Sequence, residues 1–287
     1  MTGYLSRQNR WKNRKMTNKK ALFLDMDGTT LDDQSRIPEA NRRAMEQAVR
    51  AGHEVIITTG RPTVSARNLL ADYGLDRIGC RYVIAYNGGM MLDCVTGEVL
   101  FSQTIPLDQV KELIRCARED GLYIQTYEGD YVLTDREDEN LRHYTSKTSM
   151  NVKAVPDLLK AIREEPCKML AIDSRSQDVM DAFRSRMSSW AQDKVDMYYS
   201  CAAYMEIVPK GICKGNALRA FCRKKGIPVE QTIAVGDENN DLSMIEAAGV
   251  GCAVANAIDV VKAAADYVTE RDNNHSAIEE IIYQFIL

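Results

Sequence analysis

Near its start the chain runs through the apolar stretch "ALFL" and stops on Asp25; "IPEANRRAMEQAVRAG" then places apolar residues at helical spacing between Pro38 and Gly52. The alternation continues with the β-branched run "EVIITTG", a helix in "RPTVSARNLLADYG" between Pro62 and Gly74, and a third strand in "YVIAYNGG". It resumes after residue 204: helix "KGNALRAFCRKKG", strand "QTIAVGD", helix "DLSMIEAAG", strand "GCAVA", helix "AIDVVKAAADY" and a last helix in "SAIEEIIYQFIL". Near-continuous apolar strands separated by helices predict a parallel sheet covered on both faces. Residues 19–90 and 204–287 are therefore expected to form a doubly wound, Rossmann-like α/β core.

Residues 91–203 follow another rhythm. "GLYIQTYEGDYVLT" sets Tyr123, Gln125 and Tyr127 against Ile124 and Thr126, the period of an antiparallel strand with one exposed face, and "CKMLAID" and "VDMYYS" look similar. Helices are expected in "LDQVKELIRCARED", "VPDLLKAIREE" and "SQDVMDAFRSRMSSWAQ". This segment reads as an α+β cap domain inserted in the core.

A length of 287 residues accommodates both, and 45% hydrophobic with 27% charged residues supplies a sizeable core. A net charge of -4 and a pI near 5.6 favour neither nucleic acid nor an anionic membrane surface. An anionic substrate would need a local positive site. No apolar run approaches the roughly 18 residues of a membrane span. Eight cysteines stand without a paired or zinc-like spacing, so reduced, mostly buried thiols in a cytoplasmic protein are expected, and separately a monomer or homodimer. Residues 1–20 carry seven basic side chains and no acid; residues 1–18 read as a disordered basic tail rather than a nucleic-acid arm.

Ligands of doubly wound sheets bind beyond the carboxyl ends of the strands. Four features would meet on that edge: Asp25 with Asp27, Thr59-Gly60-Arg61, Lys214, and Asp237 with Asn240 and Asp241. Clustered carboxylates repel one another unless a cation joins them. Mg²⁺ suits an all-oxygen site completed by a phosphate oxygen. A calcium loop starting at Asp25 fails, since position 6 is Thr30, position 12 is Arg36, and the flank is a strand.

"DMDGT", "TTGR", "ICKG" and "GDENND", in this order, resemble the four motifs of the haloacid dehalogenase superfamily, specifically its Cof-like sugar-phosphatase branch. "YVIAYNGG" and "MEIVPKGICKGNAL" are similar to that branch's stretches flanking the cap, and the resemblance covers roughly residues 20–287. About 30 residues separate Asp27 from Thr59 and about 150 separate Thr59 from Lys214, so the insert follows the third strand, which the family would call a C2 cap.

The resemblance implies a Mg²⁺-dependent phosphatase acting on a small phosphorylated metabolite. Asp25 would be the nucleophile, forming an aspartyl-phosphate, and Asp27 the general acid and base. The loop amides at Met26, with Thr59, Gly60, Lys214 and Asn240, would hold phosphate; Asp25, the Asp27 carbonyl, Asp237 and Asp241 would serve the metal. A phosphomutase using the same intermediate is the alternative, and a non-catalytic phosphate-ligand sensor a further one. Two departures stand out: Thr30 where relatives usually carry an aliphatic residue, and His275-Ser276 where they often carry an acid followed by glycine.

Some candidates have plainer readings. Lys210 competes with Lys214 as the phosphate lysine, though Lys214 fits the position opening a helix. Arg61 could simply tie down its loop or pair with an acid, Asp32 and Asp33 read as solvated loop residues, and His53, His143 and His275 share no motif. Substrate choice would rest with cap residues such as Tyr123, Tyr127, Glu128, Asp130 or Arg142, with sugar, nucleotide-related and cofactor phosphates all open.

Overall fold

The structure, a computed structural model, describes residues 19–62, 68, 70–129, 131–148 and 150–287. The expected basic tail, the first turns of the helix placed after Arg61, and Asp130 lie outside the described residues. In chain order the strands are β1 (Ala21–Leu24), β2 (Glu54–Thr58), β3 (Tyr82–Ala85), β4 (Met90–Asp93), β5 (Val99–Ser102), β6 (Tyr123–Glu128), β7 (Tyr131–Thr134), β8 (Asn151–Ala154), β9 (Met169–Ile172), β10 (Val195–Cys201), β11 (Tyr204–Pro209), β12 (Thr232–Gly236), β13 (Val250–Ala253) and β14 (Tyr267–Val268). The helices used below are α1 (Glu39–Arg50), α2 (Leu107–Glu119), α3 (Glu139–Thr145), α4 (Leu158–Ala161), α5 (Asp178–Ala191), α6 (Lys214–Lys225), α7 (Leu242–Ala247), α8 (Asp259–Ala264) and α9 (Ala277–Phe285).

The chain divides into two compact units. The first holds a sheet in the order β14-β13-β12-β1-β2-β3-β4-β5, parallel from β14 to β3 and antiparallel between β3 and β4. From β1 the chain steps one way to β2 and β3, and later the other way through β12, β13 and β14. With right-handed crossovers, that reversal sends the connecting helices to opposite faces, the doubly wound arrangement. Burial of all four β1 residues and all five of β12 explains their unbroken apolar character. Phe221 of α6 packs edge-on against Phe23 and Tyr82 at 5.6 and 5.1 Å, and burying such a ring contributes about 1.5–3 kcal/mol. Lys20 Nζ donates to the carbonyl of Phe285 at 2.6 Å and ties the end of α9 to the start of β1.

The second unit spans residues 101–212. Its sheet runs β10-β11-β9-β6-β7-β8, antiparallel except between β7 and β8. Leu113, Ile114 and Ala117 of α2 and Met180 and Phe183 of α5 form one apolar cluster with Ile124, Ala171, Met205 and Ile207 of the sheet.

Four expectations need correction. The insert limits of 91 and 203 both move, because "MMLD" and "VLFS" pair into the first sheet as β4 and β5, while "YMEIVP" pairs with β9 and β10 as β11. The sheet is consequently mixed at the β4 edge. The strand β6 has no exposed face: Tyr123, Gln125 and Tyr127 are as buried as Ile124 and Thr126. Their polar ends satisfy one another, since Tyr123 Oη donates to Gln125 Oε1 at 2.9 Å and Tyr127 Oη to Tyr144 Oη of α3 at 3.1 Å. The long helix expected in "VPDLLKAIREE" is the single turn α4, ended where Ile162 turns extended (ψ 127°) and buries its side chain in the apolar cluster. Among the described residues no helix is long and apolar enough to cross a membrane.

Candidate active site

Parallel pairing aligns the strand ends. Leu24 of β1 stands beside Val235 of β12 and Ile57 of β2, so the chain leaves the sheet side by side at Asp25, Asp237 and Thr59. This is the switch point of the strand order, where the connections diverge and leave a crevice. Asp25 stays anchored by donating its N–H to the Val235 carbonyl at 3.0 Å.

Beyond Asp25 the chain makes one tight turn over Met26–Thr30. Gly28 sits there at φ 76°, and a Cβ on it would lie 2.4 Å from Asp237 Oδ2, so the turn demands glycine twice over. Thr30 Oγ1 closes the turn on the Asp25 carbonyl at 2.5 Å, and Thr29 Oγ1 donates to Asp237 Oδ1 at 2.5 Å. Asn256 Nδ2 holds the Gly28 carbonyl at 2.7 Å.

Lys214 opens α6 and is fully buried. Its ammonium lies 2.5 Å from Asp25 Oδ1 and 2.5 Å from Asp241 Oδ1. Asp241 Oδ2 in turn accepts from the N–H groups of Asp237 and Glu238, fixing the turn after β12. Oxygens of Asp25, Asp237 and Asp241 all fall within 4.8 Å of one another. Burial works against the Lys214 charge, yet Asp241 and Asp25 outweigh it and hold its pKa above the usual lysine range. Burial, reinforced by Asp241, lifts the Asp25 carboxyl well above its ordinary pKa; burial likewise raises Asp237, to about 7, against the opposing Thr29 hydrogen bond.

Asp27 points its carboxylate to solvent and pairs with Arg61, whose Nε donates to Oδ2 at 2.8 Å. Its side chain stands outside the Asp25–Asp237–Asp241 group. Thr59 is buried, with its Oγ1 accepting the Arg61 N–H at 3.1 Å, and Asn240 Nδ2 donates to Asn87 Oδ1 at 3.1 Å. Lys210 pairs with Asp196 at 2.7 Å in the second unit, which leaves Lys214 as the lysine among the acids. Asp32 pairs with Arg36, and Asp33 is tied to Asn273 and Asn274, both plain loop roles. His53 accepts from the Lys20 N–H, and His275 bonds to Asp272. In the second unit Glu128 pairs with Lys153, and Arg142 is exposed.

The model of the haloacid dehalogenase-like hydrolases matches residues 22–282. The chain belongs to that family. A Bacillus subtilis member, 5-amino-6-(5-phospho-D-ribitylamino)uracil phosphatase YitU, is 32% identical over 254 residues, covering 86% of this chain and 91% of its own. A haloacid dehalogenase-like hydrolase from Bacteroides thetaiotaomicron superposes with a TM-score of 0.84 at 30% identity, over 93% of this chain and 99% of that one. The haloacid dehalogenase subclass IIB sugar phosphatase BT4131 shares the fold at a TM-score of 0.79 and 24% identity, over 93% of this chain and 98% of that one. The chain is thus a phosphatase of this hydrolase family.

Three contributors carry no role in the sequence reading: Thr29, Asn256 and Asn87. Thr29 lies inside the quoted "DMDGT", and Asn87-Gly88 is a turn signal, but their partners come from distant segments. The departure at Ser276 also finds its place. Ser276 adopts φ 67° and ψ 45°, the left-handed conformation that glycine takes more readily. Ser276→Gly is expected to stabilise the fold by about 0.5–1 kcal/mol, the left-handed penalty less the added entropy of unfolded glycine. A thermal melt checks it, and an unchanged or lower midpoint would show that Ser276 is not strained.

Proposed function

We propose that this phosphatase hydrolyses a small phosphate monoester through a covalent intermediate on Asp25, with Mg²⁺ at the three-carboxylate group. One observation carries the reading: Asp25, Asp237 and Asp241 are buried together, and the ammonium among them, Lys214, pairs with Asp25 and Asp241. Three carboxylates against one cation leave an uncompensated negative charge, and the donor set is oxygen only. That combination fits Mg²⁺. Asp25, Asp237 and Asp241, with the Asp27 carbonyl, would hold the ion, which when bound neutralises charge on the phosphoryl oxygens.

The chain's own groups divide the reaction. An Asp25 carboxylate oxygen bonds to phosphorus while the bond to the leaving oxygen breaks, and Asp27 gives that oxygen its proton. Asp27 then takes a proton from water as the water oxygen attacks phosphorus, releasing Asp25 and inorganic phosphate. The Met26 and Gly60 amides, Thr59, Lys214 and Asn240 would hold the phosphoryl oxygens. Exposure suits Asp27 to meet a leaving group and water, and Arg61 orients it until substrate arrives. The substrates in view are sugar phosphates and cofactor- or nucleotide-like phosphates; the name of YitU adds a ribityl phosphate to that group. Eight free cysteines fit a reducing, cytoplasmic setting.

Two experiments test this. Phosphate release over a panel of such esters should need Mg²⁺, cease with EDTA and return with added Mg²⁺; turnover that persists in EDTA would overturn the metal's role. Proton linkage supplies the second. Both raised carboxyls take up protons in the metal-free protein, Asp237 below about pH 7, so ionising them costs the metal-free fold stability as pH rises from the ordinary carboxylate range through 7. Mg²⁺ competes with those protons. Its stabilising shift in melting temperature is expected to be clearly larger at pH 8 than at pH 6, and equal shifts would contradict the assignment.

A further inference from the structure

Between β3 and β4 the chain turns through three consecutive residues at positive φ, Tyr86 at 53°, Asn87 at 55° and Gly88 at 110°. Side-chain-bearing residues avoid this region, and asparagine tolerates it better than most. The turn therefore carries strain that something in the structure must hold in place.

What holds it is the proposed phosphate end of the site. The Tyr86 N–H donates to the Arg61 carbonyl and the Asn87 N–H to the Thr59 carbonyl, both at 3.1 Å, while the Thr59 N–H donates to the Ile84 carbonyl at 2.8 Å. The Thr59–Arg61 segment is thus laced to this turn by two main-chain bonds and to β3 by a third. The Asn87 side chain is 1% exposed and accepts from Asn240 Nδ2 at 3.1 Å through its Oδ1. A Cβ on Gly60 would fall 2.9 Å from that Oδ1 and 3.2 Å from Nδ2, so the amide lies against Gly60 itself. Its Nδ2 is buried and has no hydrogen-bond partner among the described residues. One side chain therefore touches two of the segments assigned to phosphate, Gly60 after β2 and Asn240 after β12.

We infer that Asn87 is a positioning residue for phosphoryl binding: its amide fixes the Asn240 side chain against the Gly60 turn, so that donors from two distant loops keep one spacing. This role rests on the assignment of Thr59, Gly60 and Asn240 to phosphate. It explains why the left-handed position holds asparagine, although glycine would fit the backbone more easily. Without the Asn87 amide, Asn240 keeps its chemistry and loses its orientation.

Asn87→Gly separates the two demands, since glycine accepts φ 55° and deletes only the amide. Its melting temperature should be unchanged or higher. Its kcat/KM on an aryl phosphate with Mg²⁺ should fall about tenfold to a hundredfold, as misplacement of a binding group allows, with inorganic phosphate becoming a weaker competitive inhibitor. Asn240→Ala should fall at least as far. The double variant should lie within about twofold of Asn240→Ala alone, because each change removes the same oriented donor. Losses that multiply in the double variant, or full activity in Asn87→Gly, would overturn the positioning role while leaving the phosphate site standing. Full activity in Asn240→Ala would instead overturn the phosphate assignment of Asn240, and the role of Asn87 with it. A merely structural Asn87 would lower the melting temperature and leave phosphate inhibition unmoved.

Discussion

Asp25→Asn should fold normally and lose phosphate release by about a thousandfold or more, since the nucleophile and its charge go together. An amide has no anionic oxygen to bond to phosphorus, and at this position it removes one of the three clustered carboxylates and one of the two that pair with Lys214. The fold should tolerate the change because asparagine keeps the shape and an oxygen facing the ammonium. Relief of repulsion among Asp25, Asp237 and Asp241 offsets part of the lost ion pair. Steady-state phosphate release and a thermal melt on the same preparation check both halves. Retention of more than a few per cent of the wild-type rate would remove Asp25 as nucleophile.

Lys214→Met has the next largest effect, on activity and stability together. The lysine is fully buried, with Asp25 and Asp241 each at 2.5 Å, and an apolar chain of similar length would leave the acids facing one another without a cation. Breaking such a buried arrangement on one side costs about 3–5 kcal/mol. Loss of a phosphate donor lowers kcat by about 10²–10³-fold. The stability loss should be larger at pH 8 than at pH 5, because carboxyls whose pKa is already raised by burial regain protons as pH falls and cease to repel. Denaturant melts at the two pH values measure this; an equal loss at both would mean that the ammonium is not balancing those charges.

The core was legible because strands buried on both faces have to be apolar throughout: "ALFL" and "TIAVG" could be little else. Where each ended on an acid, the rule for ligand sites in wound sheets pointed to the edge where Asp25 and Asp237 stand together. The edges of the insert were not legible in the same way. Strand β11 and the short β4 take their place from pairing partners that local composition does not name, β9 and β10 for the one and β3 for the other. In β6 the alternation of Tyr123, Gln125 and Tyr127 with Ile124 and Thr126 was real, but α3 supplies Tyr144 to its polar face and closes it. Asp25 and Lys214, which the structure brings into contact, stood out by type and place. Thr29 and Asn87 did not, since their value lies in partners 208 and 153 residues away.

The covalent role of Asp25 is the claim on which the rest depends, and borohydride trapping tests it most directly. An acyl phosphate is reduced to an alcohol, whereas a free carboxylate is inert. Enzyme turning over an aryl phosphate with Mg²⁺ should yield, after reduction and digestion, a peptide carrying homoserine in place of Asp25. Asp25→Asn, or wild type without substrate, should yield none. An unaltered Asp25 peptide from enzyme still releasing phosphate at full rate, or reduction at a different carboxylate, would contradict the assignment.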